Sequence, residues 1–128
     1  GLQGDTTGDM YRLVTTQNYM AVTGACLMTK AELYAKHPLD GENFAVAYND
    51  IDFCLKLYED GYLNVFTPYS EAYHYESKSR GLDETDKPNP RYEREKKNFQ
   101  DRWEKYFNYH DPYYNPHFTL LYENYGYK

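Results

Sequence analysis

The chain has 128 residues, with 20 acidic and 14 basic side chains and a formal net charge of −6. This length allows one domain at most, and the negative charge gives no bulk attraction to nucleic acid, so we expect no nucleic-acid partner. No apolar run reaches the roughly 18 residues of a membrane span, and the first residues lack the pattern of a signal peptide. The sequence therefore predicts a cytoplasmic protein.

The first segments differ in their hydrophobic pattern. Residues 1–18 are rich in glycine, threonine and aspartate without periodicity, which indicates a flexible N-terminal edge. Residues 19–28 form a nearly continuous apolar run, interrupted by Thr23 and Gly24. This run predicts a buried strand whose backbone passes close to another group at the glycine.

A short helix is predicted after this strand. Thr29 and Glu32 have the spacing of a capping box, and Pro38 marks the end of the helix. Residues 38–47 carry few helical signals, so we expect a loop there.

The clearest helical pattern begins at Asn49 or Asp50, either of which is a suitable N-cap. Apolar side chains then recur at offsets of three, four and seven, and a glycine closes the helix: Ile51, Cys54, Leu55, Tyr58 and Gly61. Residues 62–67 and 70–75 have the composition of two short strands.

Residues 83–128 contain a charged helix followed by a tail. Pro90 is suited to the first helical position, and aromatic residues then recur on one face: Tyr92, Phe99, Trp103 and Tyr106. Residues 111–116 are rich in turn-forming and aromatic residues, which excludes a regular element. Together the segments predict an α+β fold with a small, incomplete mixed sheet and about three helices.

Cysteine and tyrosine usage carries limited information. Cys26 and Cys54 lie in apolar segments without metal-ligand spacing, so both are predicted to be buried apolar side chains. The 17 tyrosines suit stacking on sugar rings, but they equally suit a half-polar core or an interface.

Two carboxylates lie at the start of the second helix. The helix dipole and the free backbone N–H groups stabilise an ionised acid there, so Asp50 or Asp52 can be a simple cap. Alternatively, one of them presents its carboxylate to a hydroxyl as a general base, while the other holds the loop or the acceptor.

A second polar cluster follows the aromatic segment that ends at Tyr75. An alternating strand would bring His74 to the same edge as Ser77, Ser79 and Arg80. An imidazole there can bind a divalent cation and a guanidinium can bind a diphosphate. A strand histidine with ordinary hydrogen-bond partners is the alternative.

Five ordered blocks between residues 19 and 116 resemble the C-terminal half of bacterial family 2 glycosyltransferases of the rhamnosyltransferase-like, cell-surface polysaccharide type. The blocks are residues 22–28, 49–57, 61–62 with 67–68, 74–81 and 111–116. The resemblance implies an inverting GT-A enzyme, in which an aspartate removes the proton of an acceptor hydroxyl that attacks a nucleotide-diphosphate sugar. The base of the family's Glu-Asp motif matches Asp50, and Asn49 replaces the glutamate. Asn49 and Asp52 are then expected to bind the acceptor.

The resemblance also assigns the remaining site residues. His74 would bind a divalent metal, Mn or Mg, while Ser79 and Arg80 would bind the diphosphate. Thr23 and Gly24 would line the sugar and acceptor cleft, where glycine lets the backbone approach the ligand.

The nucleotide-binding half of such a fold, with its Asp-x-Asp motif, is not in this chain, so the resemblance implies a fragment. Residues 19–82 would be the acceptor side of the enzyme, with a nucleotide sugar and a glycan acceptor as partners and peripheral membrane association of the longer protein. The fragment alone is expected to be inactive and to dimerise through its unpaired strand edge. The alternatives are a non-catalytic carbohydrate-binding or assembly module and, with weaker support, another kind of metal-binding protein.

Overall fold

A computed structural model describes residues 6–73, 89–121 and 125–128. Within these residues lie four α-helices and two strands: β1 (Gln17–Tyr19), α1 (Ala31–Lys36), α2 (Asn49–Glu59), β2 (Asn64–Phe66), α3 (Pro90–Arg102) and α4 (Glu104–Phe107). Asp9–Tyr11 and Gly24–Cys26 form single turns of 3-10 helix. The predicted α+β class is confirmed. No helix in the described ranges is long and apolar enough to cross a membrane.

The two strands form an antiparallel sheet. Gln17 pairs with Phe66 and Tyr19 with Asn64, and the rings of Tyr19 and Phe66 meet edge to face, with 6.3 Å between their centroids. The predicted strand 19–28 is wrong, because β1 ends at Tyr19 and residues 20–28 form no strand.

The apolar segment after β1 lies beside helix α2 and does not pair with a neighbouring strand. The Asn64 side chain donates hydrogen bonds from Nδ2 to the carbonyls of Met20 (2.9 Å) and Cys54 (3.1 Å). Cys54 in turn directs its Sγ toward the Val22 carbonyl at 3.8 Å. Side chains of α2 and β2 thus satisfy backbone groups that a strand would pair with another strand.

Helix α1 confirms the predicted short helix but not its capping box. The N-cap is Lys30, which makes no side-chain hydrogen bond to the helix, and Thr29 lies outside it. The helix ends at Lys36, two residues before Pro38.

Helix α2 matches the predicted helix in position and in its end. Gly61 follows it with φ of +84°, the left-handed conformation expected of a closing glycine. Its start differs, because the N-cap is Tyr48 rather than Asn49 or Asp50. The buried surface is wider than the predicted apolar stripe and comprises Asp52, Phe53, Cys54, Leu55 and Leu57.

Helix α3 has the predicted start at Pro90, and the Asn89 side chain caps it by accepting the N–H groups of Arg91 and Tyr92. The aromatic face packs on the loop that precedes α2. Phe99 stacks on Tyr48 with 4.9 Å between ring centroids. The predicted stripe therefore brings α3 to the start of α2.

Three smaller predictions have mixed outcomes. Cys54 is buried as expected, whereas Cys26 is exposed, because its segment is a surface turn rather than a buried strand. Residues 111–116 form turns and no regular element, as predicted. Residues 70–73 lie outside any strand, and the rest of the predicted strand 70–75 falls outside the described residues.

Candidate functional site

The two acids of the first turn of α2 lie on different sides of the helix. An α-helix rotates by about 100° per residue, so Asp50 and Asp52 are separated by about 200° around its axis. Asp50 is half-buried, and Asp52 has no exposed surface. The sequence motif therefore divides into one accessible and one buried carboxylate.

The Asp50 carboxylate is held by two backbone amides. Oδ2 accepts the Gly24 N–H at 2.8 Å, and Oδ1 accepts the N–H of the next residue, Ile51, at 2.9 Å. A carboxylate offers about four acceptor positions, so room remains for a hydroxyl donor. The helix N-terminus also favours negative charge at this position.

Gly24 lies close to the Asp50 side chain. A Cβ added there would lie 3.1 Å from Asp50 Cβ and 3.4 Å from its Oδ2. The preceding Thr23 caps the 3-10 turn by accepting the Ala25 N–H on its Oγ1 at 3.3 Å. The structure thus brings Thr23, Gly24 and Asp50 together at an exposed turn, with Asn49 half-buried at the first position of the helix.

Asp52 is bound on the opposite side by two hydrogen-bond donors and one ion pair. Arg102 Nη1 and Trp103 Nε1 each lie 2.9 Å from its Oδ1, and Lys56 Nζ lies 2.6 Å from its Oδ2. This buried carboxylate joins α2 to the end of α3. The expected contact of Asp52 with an acceptor stays a prediction.

Arg102 extends this network to the loop before α2. Its Nη2 lies 2.7 Å from Asp40 Oδ2, and its guanidinium lies over the Phe44 ring, 4.7 Å from the centroid. The hydrogen bond from the Asn43 backbone N–H, together with Arg102, holds the pKa of Asp40 well below its ordinary value. One arginine therefore binds carboxylates from both the loop and the helix.

The loop is also held by Glu95 of α3, a residue that the sequence analysis missed. Glu95 is 1% exposed, and its Oε2 accepts the Ala47 N–H at 2.7 Å and the Val46 N–H at 3.4 Å. The Tyr48 hydroxyl donates a third hydrogen bond, to the Tyr92 hydroxyl at 3.0 Å. Burial and this bond raise the pKa of Tyr48 to about 12. The signal that could have found Glu95 is its spacing, three residues after Tyr92 and four before Phe99, which places it on the aromatic face of α3.

The structure does not describe the other predicted ligands. His74, Ser79 and Arg80 fall outside the described residues. Within residues 6–73, 89–121 and 125–128, no group of three or more histidine, cysteine, aspartate or glutamate side chains could hold a metal ion. The described residues therefore do not form the predicted metal site by themselves, and that site stays a prediction.

Two known proteins share part of this sequence. An uncharacterized protein, y4gI, of Sinorhizobium fredii (strain NBRC 101917 / NGR234) is 44% identical over 118 residues, which cover 91% of this chain and 13% of that protein. The O-antigen biosynthesis protein RfbC of Myxococcus xanthus is 31% identical over 112 residues, 82% of this chain and 8% of its own length. The chain thus spans a small part of both relatives. No protein-family model and no solved structure matches it.

Proposed function

We propose that this chain forms the acceptor side of a family 2, GT-A glycosyltransferase of glycan biosynthesis, with Asp50 as the general base. One observation carries the proposal. The Asp50 carboxylate is partly accessible at a helix N-terminus and is oriented by the N–H of Gly24, which lies in an exposed turn. Orientation by fixed amides with free acceptor positions is what a base needs to receive a hydroxyl proton.

The proposed reaction is a single displacement. The acceptor hydroxyl binds at a free acceptor position of Asp50, and its oxygen attacks the anomeric carbon of a nucleotide-diphosphate sugar. Asp50 takes the hydroxyl proton while the bond from the anomeric carbon to the diphosphate oxygen breaks, which inverts the configuration. The products are the glycoside, the nucleoside diphosphate and a protonated Asp50 that returns its proton to water.

The diphosphate side of this reaction depends on residues outside the described ranges. Ser79 and Arg80 are proposed to bind the leaving diphosphate, because a guanidinium forms paired hydrogen bonds with phosphate oxygens. His74 is proposed as one ligand of a Mn or Mg ion. Such an ion would supply positive charge to the leaving group.

The similarity to RfbC supports the same class of function. That protein is named for O-antigen biosynthesis, and the matched part covers most of this chain. Since the match is only 8% of RfbC, the donor, the acceptor and the linkage do not follow from it.

The test is the Asp50→Asn variant of the longer enzyme that we propose contains this segment. Asparagine keeps the shape but does not take the proton, so kcat should fall by at least about a hundredfold. The KM for the donor should change little. Turnover is measured as nucleoside diphosphate released from the most active nucleotide sugar of a panel. Asp101→Asn, on exposed α3 surface, is the control. Unchanged turnover in Asp50→Asn would reject the base assignment.

A non-catalytic carbohydrate-binding module is the second candidate, favoured by strongly exposed aromatic rings. Tyr69, Tyr73 and Tyr127 are 88%, 92% and 82% exposed, and exposed rings can stack on sugars. Glycan binding that is lost in their alanine variants, together with no turnover in the longer protein, would favour this candidate over the enzyme.

A further inference from the structure

We propose that Glu95 is a positioning residue that holds the start of α2, and with it Asp50, in the geometry needed for catalysis. This inference rests on the proposed function of Asp50. Glu95 lies on a different helix and does not contact Asp50, so it would act through the backbone of the loop between them.

The first step is that Glu95 holds the loop by hydrogen bonds to its backbone. Its Oε2 accepts two consecutive backbone N–H groups, those of Val46 and Ala47. Hydrogen bonds to an ionised acceptor are roughly twice as strong as neutral ones. If the donors move away from a buried carboxylate, its oxygens lose hydrogen bonds that water does not replace, and this costs free energy. Glu95 therefore restrains the two residues that immediately precede Tyr48.

The second step is the conformation of Tyr48. This residue has φ of +66° and ψ of −2°, the left-handed region, which non-glycine residues adopt only at a cost in free energy. Such a conformation persists only when its surroundings determine it. Tyr92, Glu95 and Phe99 lie on one face of α3 at spacings of three and four. Tyr92 accepts the hydrogen bond of the Tyr48 hydroxyl, and Phe99 stacks on the Tyr48 ring. Between them, Glu95 accepts the N–H groups of Val46 and Ala47.

The third step joins Tyr48 to Asp50. The Tyr48 carbonyl accepts the Asp52 N–H at 2.8 Å, which is the first hydrogen bond of α2. If Tyr48 left its left-handed conformation, this carbonyl would turn and the first turn of the helix would shift. Asp50 lies in that turn, and its 2.8 Å bond to Gly24 would lengthen. A change at Glu95 should therefore be detectable at Gly24.

Nuclear magnetic resonance of the 128-residue chain tests this connection. The Gly24 amide proton is bound to Asp50 Oδ2 at 2.8 Å, so its exchange with solvent should be slowed as long as this bond is held. Glu95→Leu keeps the size of the side chain and removes both acceptor oxygens, and we expect it to reduce this protection by half or more. Glu95→Gln keeps one acceptor oxygen and should retain most of the protection. Glu93→Gln, an exposed site on the same helix, should leave it intact.

Activity of the longer enzyme gives a second readout. Glu95→Leu should lower kcat by about tenfold without raising the donor KM, because a small misplacement of a catalytic group reduces the chemical step. Glu95→Gln should restore part of it. Equal behaviour of Glu95→Leu and Glu93→Gln at the Gly24 amide would overturn the proposal. If Asp50→Asn keeps full turnover, the proposed function fails, whereas the Gly24 measurement still decides whether Glu95 positions Asp50.

Discussion

The two sides of the first turn of α2 place the same functional group in opposite surroundings. On one side, Asp50 faces an exposed turn and is held by two backbone amides. On the other side, Asp52 is fully buried and is held by an arginine, a lysine and an indole N–H. The difference separates a partly accessible carboxylate from one that holds two helices together.

Asp52 and Asp101 form ion pairs of the same geometry but differ in burial. Lys56–Asp52 and Lys97–Asp101 are both pairs spaced by four residues, each with a 2.6 Å separation between nitrogen and oxygen. The side chain of Asp52 is 0% exposed and that of Asp101 is 64% exposed. Water screens the exposed pair, so equal geometry does not imply equal stabilisation.

The largest expected effect is on the buried side. Asp52→Asn should lower the free energy of unfolding by about 3 kcal/mol, because breaking a buried ion pair leaves Arg102 and Lys56 without their carboxylate. The matched Asp101→Asn variant should change it by less than about 0.5 kcal/mol. Urea unfolding of the native chain and both variants measures the difference. Similar values for the two variants would show that burial does not distinguish these pairs.

A smaller effect is expected on the exposed side. The Cβ of a Gly24→Ala variant would press on Asp50 at 3.1 Å and shift it by a few tenths of an ångström. We expect turnover of the longer enzyme to fall by about tenfold. Gly41→Ala is the matched control, since nothing lies within 4 Å of its added Cβ. A decrease of the same size in both variants would argue against the contact with Asp50.

The smallest effect concerns the loop and depends on pH. Asp40 has a folded-state pKa lowered from the 3.8 of a free aspartate, so it stabilises the fold fully only above that value. Its contribution is lost as the pH falls further toward the folded-state pKa. The difference in unfolding free energy between the native chain and Asp40→Asn should therefore shrink below about pH 4. A difference that stays constant down to about pH 2.5 would contradict this sign.

Local signals in the sequence were sufficient for several elements. The apolar spacing from Ile51 to Tyr58 located α2, and Gly61 and Pro90 marked a helix end and a helix start. Each of these signals acts within about four residues, through a backbone dihedral angle or a neighbouring hydrogen bond. The apolar run 19–28 indicated a strand, which is wrong, because hydrophobicity alone does not show which element buries a segment.

The sequence by itself therefore determined where α2 and α3 lie and that Asp50 stands at a helix N-terminus. Only the tertiary structure decided which acid is accessible, because the partners are far apart in the chain. Gly24 and Asp50 are 26 residues apart, Ala47 and Glu95 are 48 apart, and Asp52 and Arg102 are 50 apart. Helical periodicity places Glu95 on the aromatic face of α3, but it does not show which donors any of the three carboxylates binds. Packing of α3 against the start of α2 buries Asp52 and Glu95 among their donors, whereas Asp50 is bound by the Gly24 turn and by Ile51 and stays partly accessible.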